Sequence, residues 1–418
     1  MNYRSRHLES KLKQYQGIFP VLLVTGARQV GKSTLLSHLF GEGMRHITFD
    51  PVLDLDNARQ DPQFFIDQHP APIILDEIQY VPELLSVIKR QVDRNPAPGQ
   101  YFLTGSHNLA LLRTVAESLA GRALVLDLGP MTLAERQGLG SPSGPIWLQR
   151  LLDAGTETPD LSEQQRVPNE LPFKTVFEVL WRGGQPRTLD LPNATIPDLM
   201  QSYVRTYVER DIRIQADVQD QQQFFRFLSL CAALTAQEIN HSQLGREIGV
   251  TPQTAARWLT ALKATFQWME VPPYHGSTIK RISGKSKGYF ADTGLAAYLQ
   301  RISSPEALSG HPLLGSLFET HVTQEIHRFF PLLDLAPQVY HWRTHGGAEV
   351  DLLLERDGIF WPVEIKSKTR ITTGDARGID AFRSTYPALR HGSGIIVAPV
   401  QEYRPLRRDI LVVPYDLL

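Results

Sequence analysis

The sequence predicts an α/β protein of several units: a parallel-sheet unit first, then a helical region, a helix-turn-helix unit and a second α/β unit. Three observations carry this. Residues 1–135 alternate short apolar runs with helical stretches, as a parallel sheet with crossover helices requires. HSQLGREIGVTPQTAARWLTAL (241–262) reads as helix, Gly249 turn, helix. GGAEVDLLLERDGIFWPVEIKSK (346–368) reads as a hairpin turning at Asp357-Gly358.

The first unit spans 1–135, with strands expected at Val21–Thr25, His46–Asp50, Ile73–Asp76, Tyr101–Thr104 and Ala123–Leu128. Two stretches rich in Gly, Pro and Ser follow, 138–145 and 153–172, and read as loops or an insertion within a mainly helical region, 136–235. The helix-turn-helix unit covers 236–300. SSPEALSGHP (303–312) reads as a linker opening the last unit, 301–418.

At 418 residues the chain is long enough for two to four cores, and its formal net charge of −1 gives no global attraction to nucleic acid. Any such contact must come from a local patch. The single cysteine, Cys231, excludes a disulfide framework and a Cys-rich zinc site, which suits a reducing cytoplasm. Ile18–Val24 is too short to span a membrane and lacks a following cleavage site, so a cytoplasmic, non-membrane protein is expected.

GARQVGKS (Gly26, Ala27, Arg28, Gln29, Val30, Gly31, Lys32, Ser33) fits the phosphate-loop pattern, with Thr34 continuing into a helix. Its glycines let backbone N–H groups wrap phosphates, and the helix N-terminus favours their charge. Lys32 is expected to reach the β- and γ-phosphates of ATP, and the Ser33 hydroxyl to ligate Mg²⁺. IILDEIQ (73–79) ends a buried strand at Asp76, placed for Mg²⁺, followed by Glu77, placed to activate a water. An acid pair there also suits the start of a helix, although the phosphate loop upstream favours the metal-site reading. In YFLTGSHN (101–108), Thr104 or Ser106 is placed to sense the γ-phosphate, although turn chemistry also accounts for both.

Phosphate loop, acidic strand and polar sensor strand in this order resemble the AAA-type ATPases. The resemblance implies an arginine before the last strand that reaches a neighbouring subunit's nucleotide. Arg122 in ESLAGR (117–122) stands there, with Arg113 in reserve and a surface arginine as the plain alternative. It also implies self-association into a ring, a hexamer in that superfamily, and a helical lid, for which Arg187 is the candidate nucleotide contact.

In the helix-turn-helix, Thr251 suits an N-cap and Pro252 the first helical position, leaving Gln253, Thr254 and Arg257 outward. VPPYHGSTIKRISGKSKGYF (271–290) follows with Lys280, Arg281, Lys285 and Lys287 and no acid. A basic hairpin wing beside a recognition helix is the footprint of DNA phosphate contacts. A solvated charged face or a packing module would read the same way.

The Asp357-Gly358 turn pairs Arg356 with Ile359 and Leu352 with Val363, which brings Asp351 opposite Glu364, with Lys366 on the same face and Val350, Leu352, Leu354, Trp361, Val363 and Ile365 on an apolar one. Facing carboxylates repel unless a cation sits between them, and oxygen donors suit Mg²⁺ or Mn²⁺. Asp351, Glu364 and Lys366 match the D-(x)n-E-x-K pattern and resemble the PD-(D/E)xK nucleases; Glu319 in GSLFETHVTQEI (315–326) adds the acid such folds carry on a preceding helix. Asp351 pairing with a lysine, Glu364 bridging to Lys366 or Lys368, and a nuclease fold without activity stay open beside it.

Nearly end to end, the chain resembles a prokaryotic group of AAA-type ATPases with a winged helix-turn-helix and a C-terminal domain having a restriction-endonuclease-like core. SYVRTYVERDIR (202–213), KRISGKSKGYFADTGLAAYL (280–299), GSLFETHV (315–322) and VEIKSK (363–368) carry the likeness. The likeness bears on architecture more than on biology; together the motifs read as an oligomeric ATP-hydrolysing protein that remodels or translocates DNA, with a C-terminal domain that cuts or clamps it in a metal-dependent way. The rival is a nucleotide-switched assembly that grips DNA or protein through an inactive nuclease-like fold. A third is a signalling ATPase whose helix-turn-helix only packs.

Overall fold

The structure, a computed structural model, describes residues 3–417 except 50, 51, 107–114, 116, 117, 143, 165–174, 209–219, 278–280, 282 and 283, and omits the side chains of 52–54. Its first sheet has five parallel strands in the order β2-β3-β4-β1-β5. They are β1 (Val21–Thr25), β2 (Arg45–Thr48), β3 (Ile73–Asp76), β4 (Tyr101–Gly105) and β5 (Ala123–Asp127). β2 begins one residue before the expected strand and ends at Thr48; Asp50 lies outside the described residues. β1, β3 and β4 are buried along their whole length, which explains their unbroken apolar character. Separate apolar clusters cover the two faces, one around Leu23, Leu75 and Leu103 and the other around Leu22, Ile74 and Phe102.

The middle of the chain is helical, with helices at Trp147–Asp153, Val176–Arg182, Ile196–Tyr203 and Gln221–Ala233. Ile196–Tyr203 runs on into a wider π-helical turn at Val204–Val208. After Asp153 the described part of the inserted stretch, up to 164, lies on the C-terminal sheet. The Trp361 indole donates to the Gly155 carbonyl at 3.1 Å, and the Tyr403 hydroxyl donates to the Pro159 carbonyl at 3.3 Å.

The helices around Gly249 are His241–Ile248 and Pro252–Ala264. Asn240 caps the first through the Ser242 and Gln243 N–H groups, Thr251 caps the second through that of Thr254, and Gly249 turns at φ 75°. Beside them lies a three-stranded antiparallel sheet, β6 (Gln237–Glu238), β8 (Lys287–Phe290) and β7 (Trp268–Val271) in that order. Of the stretch expected as a basic hairpin wing, 271–290, residues 278–280, 282 and 283 lie outside the described residues, and its end forms β8. Pro273 bridges to His341, and His341 donates its N–H to the Pro272 carbonyl and accepts from Tyr274 N–H, so this segment lies along the C-terminal sheet. The stretch expected as a plain linker contains a short helix, Pro305–Leu308, capped by Ser304.

The C-terminal sheet follows the long helix Leu314–Arg328. Its strands are β9 (Gln338–Arg343), β10 (Glu349–Arg356), β11 (Ile359–Ile365), β12 (Arg390–His391), β13 (Gly394–Ala398), β14 (Arg404–Arg407) and β15 (Ile410–Pro414). They run in the order β14-β15-β13-β11-β10-β9, with β12 against β11. One apolar cluster runs from Met131 through Trp258 and Phe290 to Leu417, joining helical region, helix pair and C-terminal sheet in a shared core.

Candidate functional sites

The phosphate loop joins β1 to the helix Lys32–Phe40. Gly26 takes φ 150°, and a Cβ there would lie 2.1 Å from the Leu128 carbonyl oxygen, so only glycine lets the loop rest on the end of β5. Gln29 at φ 64° and Gly31 at φ 97° complete the wrap. Arg28 donates to the Tyr80 hydroxyl at 2.6 Å, while Ala27 and Val30 are buried. The Lys32 ammonium is buried, donating to the Gly26 and Ala27 carbonyls at 3.0 and 2.9 Å.

Ser33 donates to Asp76 Oδ1 at 2.7 Å, and the Thr104 hydroxyl donates to that same oxygen. Thr104 also accepts the Glu77 N–H at 3.0 Å, holding Glu77 in a left-handed conformation at φ 60°. Backbone strain of this kind gathers at functional sites. The Gln79 amide donates to the Glu77 carboxylate and, at 3.0 Å, to Ser106. Burial pushes the Glu77 pKa up, but the Lys32 charge, Gln79, Arg28 and Ser106 outweigh it and hold the carboxyl below its ordinary range.

A cavity of about 430 Å³ opens over this network, lined among others by Lys32, Ser33, Thr34, Glu77 and Arg187. The oxygens of Ser33 and Asp76, the loop N–H groups and the Lys32 ammonium make a donor set that fits a nucleotide with its Mg²⁺. Tyr3, Arg4 and Arg6 also line the cavity, and sequence reasoning missed them. Arg6 is buried and donates to the Val30 carbonyl at 2.7 Å. Nothing in their local pattern marks them, since the chain segment that carries them docks from afar. Arg122 stands just before β5, where Ala123 pairs with Val21. The phosphate loop leaves the other end of β1, a strand length of roughly 16 Å away. Arg122 pairs with Asp93 of its own chain and does not reach its own phosphate loop. Arg113 lies outside the described residues.

On the helix pair, Gln253 and Arg257 are exposed, while Thr254 is half-buried and shares the Thr251 cap. The four basic residues expected on a wing divide. Lys280 lies outside the described residues, Lys285 is exposed, and Arg281 lies over the Tyr274 ring at 4.5 Å and donates to the His275 carbonyl. Lys287 is not a surface cation at all; its side chain is 4% exposed and turned into the C-terminal acids. Strand periodicity contained the signal, because Lys287 shares its face with the wholly buried Tyr289.

The β10–β11 register is Leu352 to Val363 through Arg356 to Ile359, with Asp357 at φ 55° and Gly358 at φ 74° in the turn. A bulge against β9 between Val350 and Leu353 breaks the expected alternation. Val350 consequently packs with Leu353 and Phe360 rather than with Leu352 and Leu354. Asp351 Oδ2 accepts the Ile365 N–H at 2.8 Å and lies 3.6 Å from Lys366, which also bridges to Glu364 at 2.5 Å. Glu364 is pressed against Gly378, where a Cβ would meet its carboxylate at 2.0 Å. On the other side Lys287 stands 2.6 Å from Glu319, 2.7 Å from Glu349 and 3.5 Å from Asp351 Oδ1, and Tyr289 donates to Glu319 at 2.8 Å.

Burial and the Asp351 charge push both Glu319 and Glu364 up to about 8. Burial opposes the charge on Lys287, but Tyr289, Glu319, Asp351 and Glu349 together hold its pKa well above the usual lysine value. The expected metal set of Glu319, Asp351 and Glu364 is not assembled. Among the described residues no three His, Cys, Asp or Glu side chains are grouped to hold a metal ion. The physical reason is that two ammonium groups stand among the carboxylates and take their oxygens.

Residues 19–137 match the family described as AAA domain. Residues 174–306 and 314–418 match two domains of unknown function, DUF8612 and DUF4143. Two uncharacterised proteins, from Mycobacterium bovis and Mycobacterium tuberculosis, are each 29% identical to the chain over 98% of its length and 83% of theirs. A Walker-type ATPase of Pyrococcus abyssi aligns with a TM-score of 0.40 at 16% identity, over 72% of this chain and 99% of that one. RuvB of Thermotoga maritima aligns at 0.29 and 16% identity, over 63% and 89%. The chain carries an AAA-type ATPase domain with a phosphate loop. No helix among the described residues is long and apolar enough to cross a membrane.

Proposed function

We propose that the protein hydrolyses ATP and uses turnover to act on DNA held by its helix pair. The observation that carries the hydrolytic part is the network Ser33–Asp76–Thr104–Glu77, which places a charged carboxylate beside the oxygens suited to Mg²⁺. Lys32 would exchange its two carbonyl partners for the phosphates, and Ser33 and Asp76 would hold the metal. Mg²⁺, when bound, neutralises phosphate charge. Glu77 accepts the proton of the attacking water, with Gln79 and Thr104 fixing its position.

Because Arg122 stands a strand length from its own loop, it serves a nucleotide only in trans, which supports a ring, a hexamer by the superfamily resemblance. The helix pair with its three-stranded sheet is read as a winged helix-turn-helix. Gln253, Arg257 and Lys285 remain as its exposed DNA contacts. The Leu314–Arg328 helix and the sheet after it are read as the restriction-endonuclease-like core. A specific observation favours the second reading of that core, as a binding module without cleavage: Lys287 is buried among the acids that cleavage would need.

ATP turnover measured with and without duplex DNA, at low and high salt, tests the proposal. Stimulation by DNA that weakens in Arg257→Ala and fades with salt is expected. Turnover indifferent to DNA at low salt would sink the DNA-acting reading and leave a nucleotide switch.

A further inference from the structure

Gln29 carries two unfavourable features in the middle of the phosphate loop. Its backbone stands at φ 64°, in the left-handed region, where a side chain is strained and glycine is not. Its side-chain Oε1 is buried and accepts no hydrogen bond from any described residue. A buried carbonyl oxygen without a donor is costly, and folded proteins leave few of them. Glycine at this position would remove both features and still offer its N–H to a phosphate. Folding therefore does not account for the glutamine, and strain beside an orphaned polar atom points to a function for the carboxamide.

The position indicates which function. Gln29 lines the cavity of about 430 Å³ together with Lys32, Ser33 and Glu77. The preceding Arg28 donates to the Tyr80 hydroxyl at 2.6 Å, and its charge acts on the Glu77 carboxyl. This part of the loop thus faces the turn that carries Glu77. Bound ATP brings phosphate oxygens to this side, and these only accept hydrogen bonds. The attacking water is the donor that hydrolysis itself supplies there.

We infer that Gln29 is a second catalytic residue of ATP hydrolysis: its Oε1 accepts one hydrogen of the attacking water while Glu77 takes the other as a proton. The water oxygen bonds to the γ-phosphorus, and the bond from that phosphorus to the bridging oxygen breaks, its electron pair leaving with ADP. The hydrogen that Gln29 held departs on the inorganic phosphate. Two acceptors fix the water's rotation and turn a lone pair toward phosphorus, which one carboxylate alone does not do. The inference rests on the hydrolytic reading of this cavity and adds a residue to it.

The test compares wild type, Gln29→Gly, Gln29→Met, Glu77→Gln and the double variant Gln29→Gly/Glu77→Gln as full-length proteins. Gln29→Gly relieves the backbone, whereas Gln29→Met keeps the side-chain length and loses the carboxamide. In both, kcat is expected to fall on the order of a hundredfold, with binding of a fluorescent ATP analogue within about twofold of wild type. Without nucleotide, Gln29→Gly should unfold in urea at no lower concentration than wild type. Because both groups act on one water, the double variant should be about as slow as Glu77→Gln alone. A kcat loss in the double variant that multiplies the two single losses would overturn the inference. So would weaker analogue binding with unchanged kcat, or a lowered urea midpoint with unchanged kcat, which would make Gln29 a binding or a structural residue. Turnover that Glu77→Gln abolishes and both Gln29 variants spare would overturn the inference alone. Wild type that binds the analogue and turns over no ATP would sink the hydrolytic reading and this inference with it.

Discussion

The backbone N–H of Leu133 donates to the Glu325 carboxylate at 2.9 Å, across 192 residues of sequence. This bond ties the end of the AAA-type domain to the Leu314–Arg328 helix, which also carries Glu319. Arg328 lies 4.0 Å from the same carboxylate, and the Glu325 charge supports both Arg328 and the buried Arg136. Glu325→Ala would leave two buried guanidinium groups short of an acid, so we expect a loss of about 3–5 kcal/mol in urea unfolding. Glu325→Gln retains an acceptor for Leu133 and should lose less. Equal stability of the two variants would refute this account of the junction.

In the phosphate loop, Lys32 and Glu77 should separate binding from chemistry. Lys32→Ala removes the ammonium directed at the phosphates and is expected to lose nucleotide binding, read by a fluorescent ATP analogue. Glu77→Gln keeps the loop intact and should bind normally while turnover falls by about 10²–10⁴-fold.

The Arg122–Asp93 pair is about one-third exposed on the arginine side, so breaking it should change stability by no more than about 1 kcal/mol. Its effect on turnover should be far larger, on the order of a thousandfold, if the guanidinium completes a neighbour's site. Mixing Arg122→Ala with Glu77→Gln subunits should restore part of the activity. No recovery in the mixture would count against action between subunits.

His7 gives a dependence on pH. Burial lowers its pKa from the ordinary 6.5, with Glu135 and the Gly140 carbonyl opposing and Arg6 assisting. The folded ring lies between the Gly140 carbonyl at 2.7 Å and the Thr132 hydroxyl at 2.8 Å. The unfolded chain takes up a proton as pH falls below 6.5, and the folded chain does so only at lower pH. The contribution is therefore present above that value and declines below it, by up to about 1.4 kcal/mol per pH unit. Burial also depresses His321, His327 and His341, so the readout is the difference between wild type and His7→Gln in unfolding at pH 5 and pH 7. Parallel pH profiles would exclude His7 as a contributor.

Much of the local architecture was legible. The Asp357-Gly358 turn required two left-handed residues, and Thr251 and Gly249 marked the turn between two helices by their own capping chemistry. Val350 was assigned to the wrong face because a bulge needs a partner strand to reveal it. Lys287 was read as a surface charge because a lysine in a Gly- and Ser-rich stretch usually is one. Arg4 and Arg6 went unnoticed because they precede the phosphate loop by twenty residues or more and reach it only through docking of the N-terminal segment.

By itself the sequence determined the phosphate loop, the acidic strand end, the helix caps and the hairpin register. Each depends on backbone conformations and hydrogen bonds formed within a few residues, so the order of residues is enough to specify them. Tertiary structure alone decided which polar groups meet: the Arg6 guanidinium with the Val30 carbonyl, the Leu133 N–H with Glu325, and Lys287 with Glu319, Glu349 and Asp351. A lysine carries the same charge on a surface or in a core. Burial and the acids gathered around it turn Lys287 from an outward-facing cation into the counter-ion of the C-terminal site.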